Sequence, residues 1–165
     1  MTKSWDELLD NGVVIVKDGC VQSGYEDEAK LALVGTLILP DDSSVTKVGR
    51  FKDCFYLTSV VIPDSVTSID NQAFYATSLA SIVIGDSVTS IGTQVFCYCD
   101  SLTSIVIPDS VTSIGSSVFY GCYSLADITF NGTMAQWNAI EKGVNWHLEV
   151  PATYVQCIDG RVDLD

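Results

Sequence analysis

At 165 residues and 47% hydrophobic, the chain is long enough for one continuous core and too apolar to stay disordered. Its formal net charge of −13, from 21 acidic against 8 basic residues, argues against nucleic acid as a partner, because phosphate binding needs clustered Lys and Arg; the ordinary consequence of such a balance is solubility. No apolar run reaches membrane-spanning length, and the opening MTKSWDELLDNG lacks the apolar core of a signal peptide.

Residues 1–35 read as an N-terminal cap. Ser4-Trp5-Asp6-Glu7 has the form of a capping box before a short helix to about Leu9. Val13 to Lys17, then Asp18-Gly19, then Cys20 to Gln22 is a hairpin with a two-residue turn. The acidic Glu26-Asp27-Glu28 opens a loop.

Residues 36–130 carry a repeat. LTSVVIPDSVTSI starts at Leu57, LASIVIGDSVTSI at Leu79, LTSIVIPDSVTSI at Leu102, and a fading SLADITF surrounds Leu125, so the leucines step by 22, 23 and 23 residues. A fixed period in this range marks a solenoid, in which each coil contacts only its neighbours. Within a coil, L-x-x-I/V-x-I alternates to send Ile105 and Ile107 to one face of a strand. Pro108-Asp109-Ser110 makes a turn, since proline cannot donate to a ladder and Asp and Ser bond nearby backbone. A second short run, V-T-S-I-G, follows, and S-x-V-F-x-x-C closes the coil.

The expected inward sets are Leu57, Val60, Ile62, Val66, Ile69, Phe74 and Ala76; Leu79, Ile82, Ile84, Val88, Ile91, Phe96 and Cys99; and Leu102, Ile105, Ile107, Val111, Ile114, Phe119 and Cys122. An irregular earlier coil is readable in Leu37, Leu39, Val45, Val48, Phe51 and Cys54. The expectation is about four coils. Cys54, Cys99 and Cys122 lie three residues before a repeat leucine, where the remaining coil has Ala76, so the position reads as small, buried and apolar rather than as a disulfide framework. Cys97-x-Cys99 lacks zinc-site spacing.

Residues 131–165 read as a C-terminal cap. Asn131-Gly132-Thr133 matches a glycosylation sequon, but reads as a turn leading Thr133 into the N-cap of a short helix from Met134 to about Ile140, with Trp137 on one face. Val155 to Ile158, Asp159-Gly160 and Arg161 to Leu164 form a second strand, turn, strand pattern.

The phrase LTSIVIPDSVTSIGSSVFYGCYSL resembles the BspA-like class of leucine-rich repeat proteins, whose repeat combines L-x-x-I-x-I-P, V-x-x-I-G and A-F-x-x-C-x-x-L. Gly85 in place of the proline and Ala76 in place of the cysteine depart from that pattern. The resemblance implies a right-handed, β-rich α+β solenoid with a parallel sheet, no enzymatic activity, and adhesion to host matrix proteins or other microbes at a cell or extracellular surface. A structural part of a larger assembly, such as a phage virion, is the alternative, and the missing signal peptide suits it.

The residues themselves offer no catalytic group. His147 is the lone histidine, no serine or cysteine joins it in a nucleophile motif, and there is no phosphate-binding glycine loop. No cofactor and no metal is expected. Asp41, Asp64, Asp86 and Asp109 recur once per coil; a row of carboxylates can hold calcium, but an Asx contact within each turn is the simpler reading. Two surfaces stand as candidates for a protein or cell-surface ligand. Ile38, Val61, Val83, Val106 and Thr129 should form an outward apolar stripe along the first strands. Phe55, Tyr56, Tyr75, Tyr98, Tyr120 and Tyr123 cluster between the repeat phenylalanine and the next leucine, and vary between coils as recognition requires.

Overall fold

The computed structural model describes residues 5–11, 14–17, 20–23 and 33–164. The N-terminal segment gives helix α1 (Trp5–Asp10) and strands β1 (Val14–Lys17) and β2 (Cys20–Ser23), which pair antiparallel with Lys17 opposite Cys20. Ser4, the Asp18-Gly19 turn and Glu26-Asp27-Glu28 lie outside the described residues.

From there the chain winds as a solenoid. Longer strands β3 (Gly35–Ile38), β5 (Leu57–Val61), β7 (Ser81–Val83), β9 (Ser104–Ile107), β11 (Asp127–Phe130) and β13 (Tyr154–Cys157) alternate with short ones, β4 (Lys47–Val48), β6 (Ser68–Ile69), β8 (Ser90–Ile91), β10 (Ser113–Ile114) and β12 (Glu141–Lys142). Helix α2 (Met134–Ala139) and the terminal strand β14 (Gly160–Asp163) complete the described elements. The short strands stack into one sheet in the order β1-β2-β4-β6-β8-β10-β12, parallel except for the first pair. The longer strands form two sheets, β3-β5-β7 and β9-β11-β13-β14.

The solenoid therefore has about six turns, not four. Of the two extra turns, the first carries none of the repeat phrase and the last only its fading SLADITF. β2 stacks on β4 through Cys20 opposite Lys47 and Val21 opposite Val48, and β12 stacks on β10 through Ser113 opposite Glu141. Backbone ladders need no particular side chain, so they extend past the point where sequence periodicity fades. In the last turn, α2 occupies the place of the Pro-Asp-Ser corner. Thr133 is its N-cap, accepting from the Gln136 backbone N–H at 3.2 Å, while the Gln136 side chain accepts from the Thr133 backbone N–H at 2.8 Å, a reciprocal capping box.

The core runs the length of the molecule. All the expected inward residues are buried except Ala76. Phe51, Phe74, Phe96 and Phe119 stack with centroids 5.8, 5.9 and 5.6 Å apart, and the file ends on Trp146, which meets Phe119 edge-on at 6.2 Å. Trp137 from α2 packs against both Phe130 and Trp146.

At the cysteine position Ala76 is displaced by its neighbour. The turn containing it has one residue fewer between phenylalanine and leucine, so counting back from Leu79 reaches Ala76, whereas counting forward from Phe74 reaches Thr77. Thr77 is the buried residue, and its hydroxyl donates to the Phe74 carbonyl at 2.9 Å. Cys99 and Cys122 reach instead to the phenylalanine of the preceding turn, their sulfurs 3.1 Å from the Phe74 carbonyl and 2.9 Å from the Phe96 carbonyl.

Side chains also tie turn to turn. Thr67, Thr89 and Thr112 each donate a hydroxyl 3.2 Å to a threonine carbonyl one turn earlier. Two of the four aspartates in the row behave likewise, unlike the expected contact within each turn: Asp41 Oδ1 accepts from the Ser65 backbone N–H at 3.1 Å, and Asp64 Oδ1 from that of Asp86 at 2.7 Å. These carboxylates staple the following coil in place.

Candidate functional site

Of the six expected aromatic residues, Tyr75, Tyr98 and Tyr120 come together on one corner of the solenoid, just after the phenylalanine file. Phe74 is followed by Tyr75 and Phe119 by Tyr120, but Phe96 is followed by the buried Cys97 and only then by Tyr98. Tyr98 takes the backbone position held by Asp53, Ala76 and Gly121 in neighbouring turns, and all four have left-handed φ, 59° for Tyr98. A bulky residue is strained there. The gain is placement: the Tyr98 ring fills the gap between its neighbours, 5.8 Å from Tyr75 at an interplanar angle of 90° and 5.5 Å from Tyr120 at 78°. Gly121 makes room, since a Cβ on it would lie 2.6 Å from Tyr98 Cδ1.

The result is a continuous ladder of three edge-to-face tyrosines across three turns. Tyr75 and Tyr120 are partly covered and Tyr98 is exposed. Tyr123, 59% exposed, extends the corner and donates its hydroxyl to Glu149 Oε2 at 3.2 Å. Phe55 is exposed four residues after Phe51, the place Tyr123 holds after Phe119, and Tyr56 is exposed beside it.

Two partners of this ladder escape a reading of the repeat alone. Lys52 follows Phe51 as Tyr75 follows Phe74, and its ammonium sits 4.7 Å from the centre of the Tyr75 ring, a cation–π contact. At the other end, the Glu149 carboxylate holds the phenols of Tyr120 and Tyr123 above the ordinary tyrosine range. Asp100 adds to that field at Tyr123, and Asp53 does so at Tyr75 after the desolvation of its ring and the influence of Cys97 and Tyr98. The alignment of Lys52 and Cys97 with the tyrosines was the signal available in the sequence.

The second candidate surface is less continuous. Ile38, Val61 and Val83 lie side by side in register on β3, β5 and β7, and Val106 pairs with Thr129 on β9 and β11. Between β7 and β9 the ladder is broken, so the apolar stripe is divided between two sheets. On the unbroken side, Gly85 follows β7 where other turns carry proline, and a Cβ there would lie 2.5 Å from the Pro63 carbonyl oxygen of the preceding turn. Outward serines and threonines flank the stripe, with Ser81 donating to Ser59 at 2.9 Å.

The short-strand sheet carries a third feature, an open groove of about 720 Å³ lined by Gln22, Arg50, Ser68, Asp70, Asn71 and Ser90. Its lining residues are mostly polar. His147 meets the ring of its neighbour Trp146 edge-on, centroids 4.4 Å apart at an interplanar angle of 63°.

No curated protein matches the chain. Among solved structures it is similar to a T. pallidum leucine rich repeat protein, with a TM-score of 0.69 and 26% identity over 86% of this chain and 66% of that one. It is similar to a leucine rich cell surface protein from Faecalibacterium prausnitzii A2-165, with a TM-score of 0.62 and 27% identity over 73% of this chain and 38% of that one. The pneumococcal vaccine antigen PcpA shares the fold, with a TM-score of 0.60 and 19% identity over 88% of this chain and 50% of that one. The chain thus spans less than two thirds of each of these structures. The model of the BspA type leucine rich repeat region matches residues 34–141 in 6 copies. The chain belongs to the BspA-type leucine-rich repeat family.

Proposed function

We propose that this chain is a non-enzymatic recognition module that binds protein at a bacterial or host-facing surface, and that the tyrosine corner is its contact face. The observation that carries this reading is the contrast between faces. Columns of Thr, Ser and Asp repeat because they staple coils together, whereas the corner changes residue from turn to turn and exposes large rings. Tyrosine offers wide contact area at low entropic cost, and interface energy concentrates in such residues. The similarity to a cell surface protein of Faecalibacterium prausnitzii supports the location. The two-part valine stripe is the weaker surface, because β-branched residues suit any strand.

The test is retention of the labelled chain on immobilised host matrix proteins and on whole bacterial cells. Saturable retention that falls sharply in a Tyr98→Ala/Tyr120→Ala double variant of unchanged thermal stability supports the reading. Retention that is unaffected by the tyrosines but lost in Val83→Ser/Val106→Ser moves the site to the sheet face. A gene neighbourhood of capsid and tail proteins would replace the adhesive role with a structural one in a virion.

A further inference from the structure

The tyrosine corner lies on a stretch of solenoid whose formal charges are all negative. Between Lys52 and Lys142 the sequence contains no lysine, arginine or histidine, while aspartates recur through the repeats and Glu141 ends the stretch. Three cations of the described region are engaged at the margins of this stretch: Lys52 over Tyr75, Lys142 over Trp137 with its ammonium also donating to the Ile140 carbonyl at 3.1 Å, and Arg161 over Tyr154 and paired with Asp163. Tyr98 and Tyr123 are exposed on turns that carry no lysine or arginine, and Asp100 and Glu149 lie beside Tyr123.

We propose that this corner recognises a lysine- or arginine-bearing extended segment of a partner protein, with cations seated on the tyrosine rings and paired with Asp100 and Glu149. The proposal rests on the recognition role argued above and names the chemistry of the partner. Three features support it. An aromatic face attracts ammonium and guanidinium groups, and a nearby carboxylate adds to the attraction. Lys52 already seats an ammonium on Tyr75, so the corner admits a cation on its first ring. The spacing also fits. Alternate side chains of an extended segment repeat about every 6.6 Å, and the rings of the ladder repeat every 5.8 and 5.5 Å, so a segment lying along the solenoid axis presents a cation near each turn. A partner with the acidic balance of this chain would be repelled.

The experiment titrates the intact chain with hexa-arginine, with hexalysine and with a Gly-Ser peptide of equal length, following amide and aromatic NMR shifts. The proposal expects the basic peptides to bind with shifts centred on Tyr98, Tyr120 and Tyr123, and the Gly-Ser peptide not to bind. Replacing Tyr98 and Tyr120 by Ala should weaken hexa-arginine binding about tenfold or more. Asp100→Asn with Glu149→Gln should weaken it several-fold, roughly threefold to tenfold, and should flatten its dependence on salt. Asp109→Asn with Asp127→Asn removes the same charge elsewhere on the repeats and should leave affinity nearly unchanged. Equal weakening by both charge pairs, or shifts spread over the whole acidic surface, would overturn the proposal by reducing it to bulk attraction. If retention on matrix proteins depends on the tyrosines yet is indifferent to Asp100, Glu149 and added hexa-arginine, the recognition face stands and the basic partner is wrong.

Discussion

Thr77 stands where three other turns carry cysteine, and its Oγ1 lies 3.4 Å from the sulfur of Cys99 in the next turn. Both groups reach the same acceptor, the Phe74 carbonyl, at 2.9 and 3.1 Å. The position thus asks for a small side chain with a proton to donate inward, and hydroxyl and thiol both supply one. Thr77→Val keeps the volume and removes the donor, so it should lower stability by about 1 kcal/mol. Thr77→Cys should cost less. Urea midpoints of the three proteins settle the matter, and a Val variant as stable as the parent would show that the hydroxyl contributes nothing.

Burial pushes the Cys97 thiol up to about 11 and the Cys99 thiol up to about 12, and it raises Cys122 as well. A thiol reacts as its thiolate, so at pH 8 only on the order of one part in a thousand of Cys97 is nucleophilic even before access is considered. Half-buried Cys20 should therefore label first in the native protein, and the core thiols only after denaturant is added. Rapid native labelling of Cys99 or Cys122 would contradict the packing.

The same shifts set a pH dependence. Folded-state values above the ordinary 9.0 mean that the unfolded chain sheds these protons first as pH rises. The stabilising effect is complete below about pH 9 and is lost as pH climbs through about 11 and 12. Denaturation midpoints should hold steady from pH 7 to 8.5 and then fall. A midpoint that rises between pH 9 and 10.5 would have the wrong sign.

Gly115 sits where one turn crosses close to the backbone of the turn before it. A Cβ there would come within 2.5 Å of the Gly92 carbonyl carbon and the Thr93 nitrogen, backbone atoms that cannot swing aside. Gly115→Ala should separate the two turns locally and destabilise by roughly 1–3 kcal/mol, as overpacking does. Thermal melting measures this directly, and an unchanged melting temperature would mean the ladder yields more easily than its geometry indicates.

Deleting residues 80–102 joins Leu79 to Thr103 in register, removes one whole turn and sets β9 directly beside β5. The shortened chain should fold, because the columns on either side are the same residue types. Its circular dichroism should remain that of a β-rich solenoid, and the break between the two longer-strand sheets should close. An unfolded product would show that the interrupted turn is needed by both halves.

The inward residues were legible from periodicity, since Val60, Ile82 and Ile105 answer to the same constraint in every turn. The number of turns was not, because β2 and β12 are held by main-chain ladders and carry Cys20-Val21 and Glu141-Lys142 where the phrase would have Ser-Ile. The substitution of Thr77 for cysteine was hidden by a single deleted residue that shifts the count from one side only. At the candidate corner, Tyr75, Tyr98 and Tyr120 could be found in consecutive turns, but not that Tyr98 enters from the next backbone position with left-handed φ. Lys52 and Glu149 reach the corner from turns on either side, a relation fixed by stacking rather than by any local motif.

The antiparallel strands at the ends have a consequence for association. Tyr154–Cys157 would otherwise present an unpaired parallel edge matched in pitch and chemistry to the first turn of another copy, an invitation to head-to-tail fibres. β14 reverses direction there and places Arg161 and Asp163 on the outer edge, and β1 reverses the short-strand sheet in the same way. An array built to repeat is thereby given a finite length, and concentrated solutions should remain free of polymers as long as these two hairpins are intact.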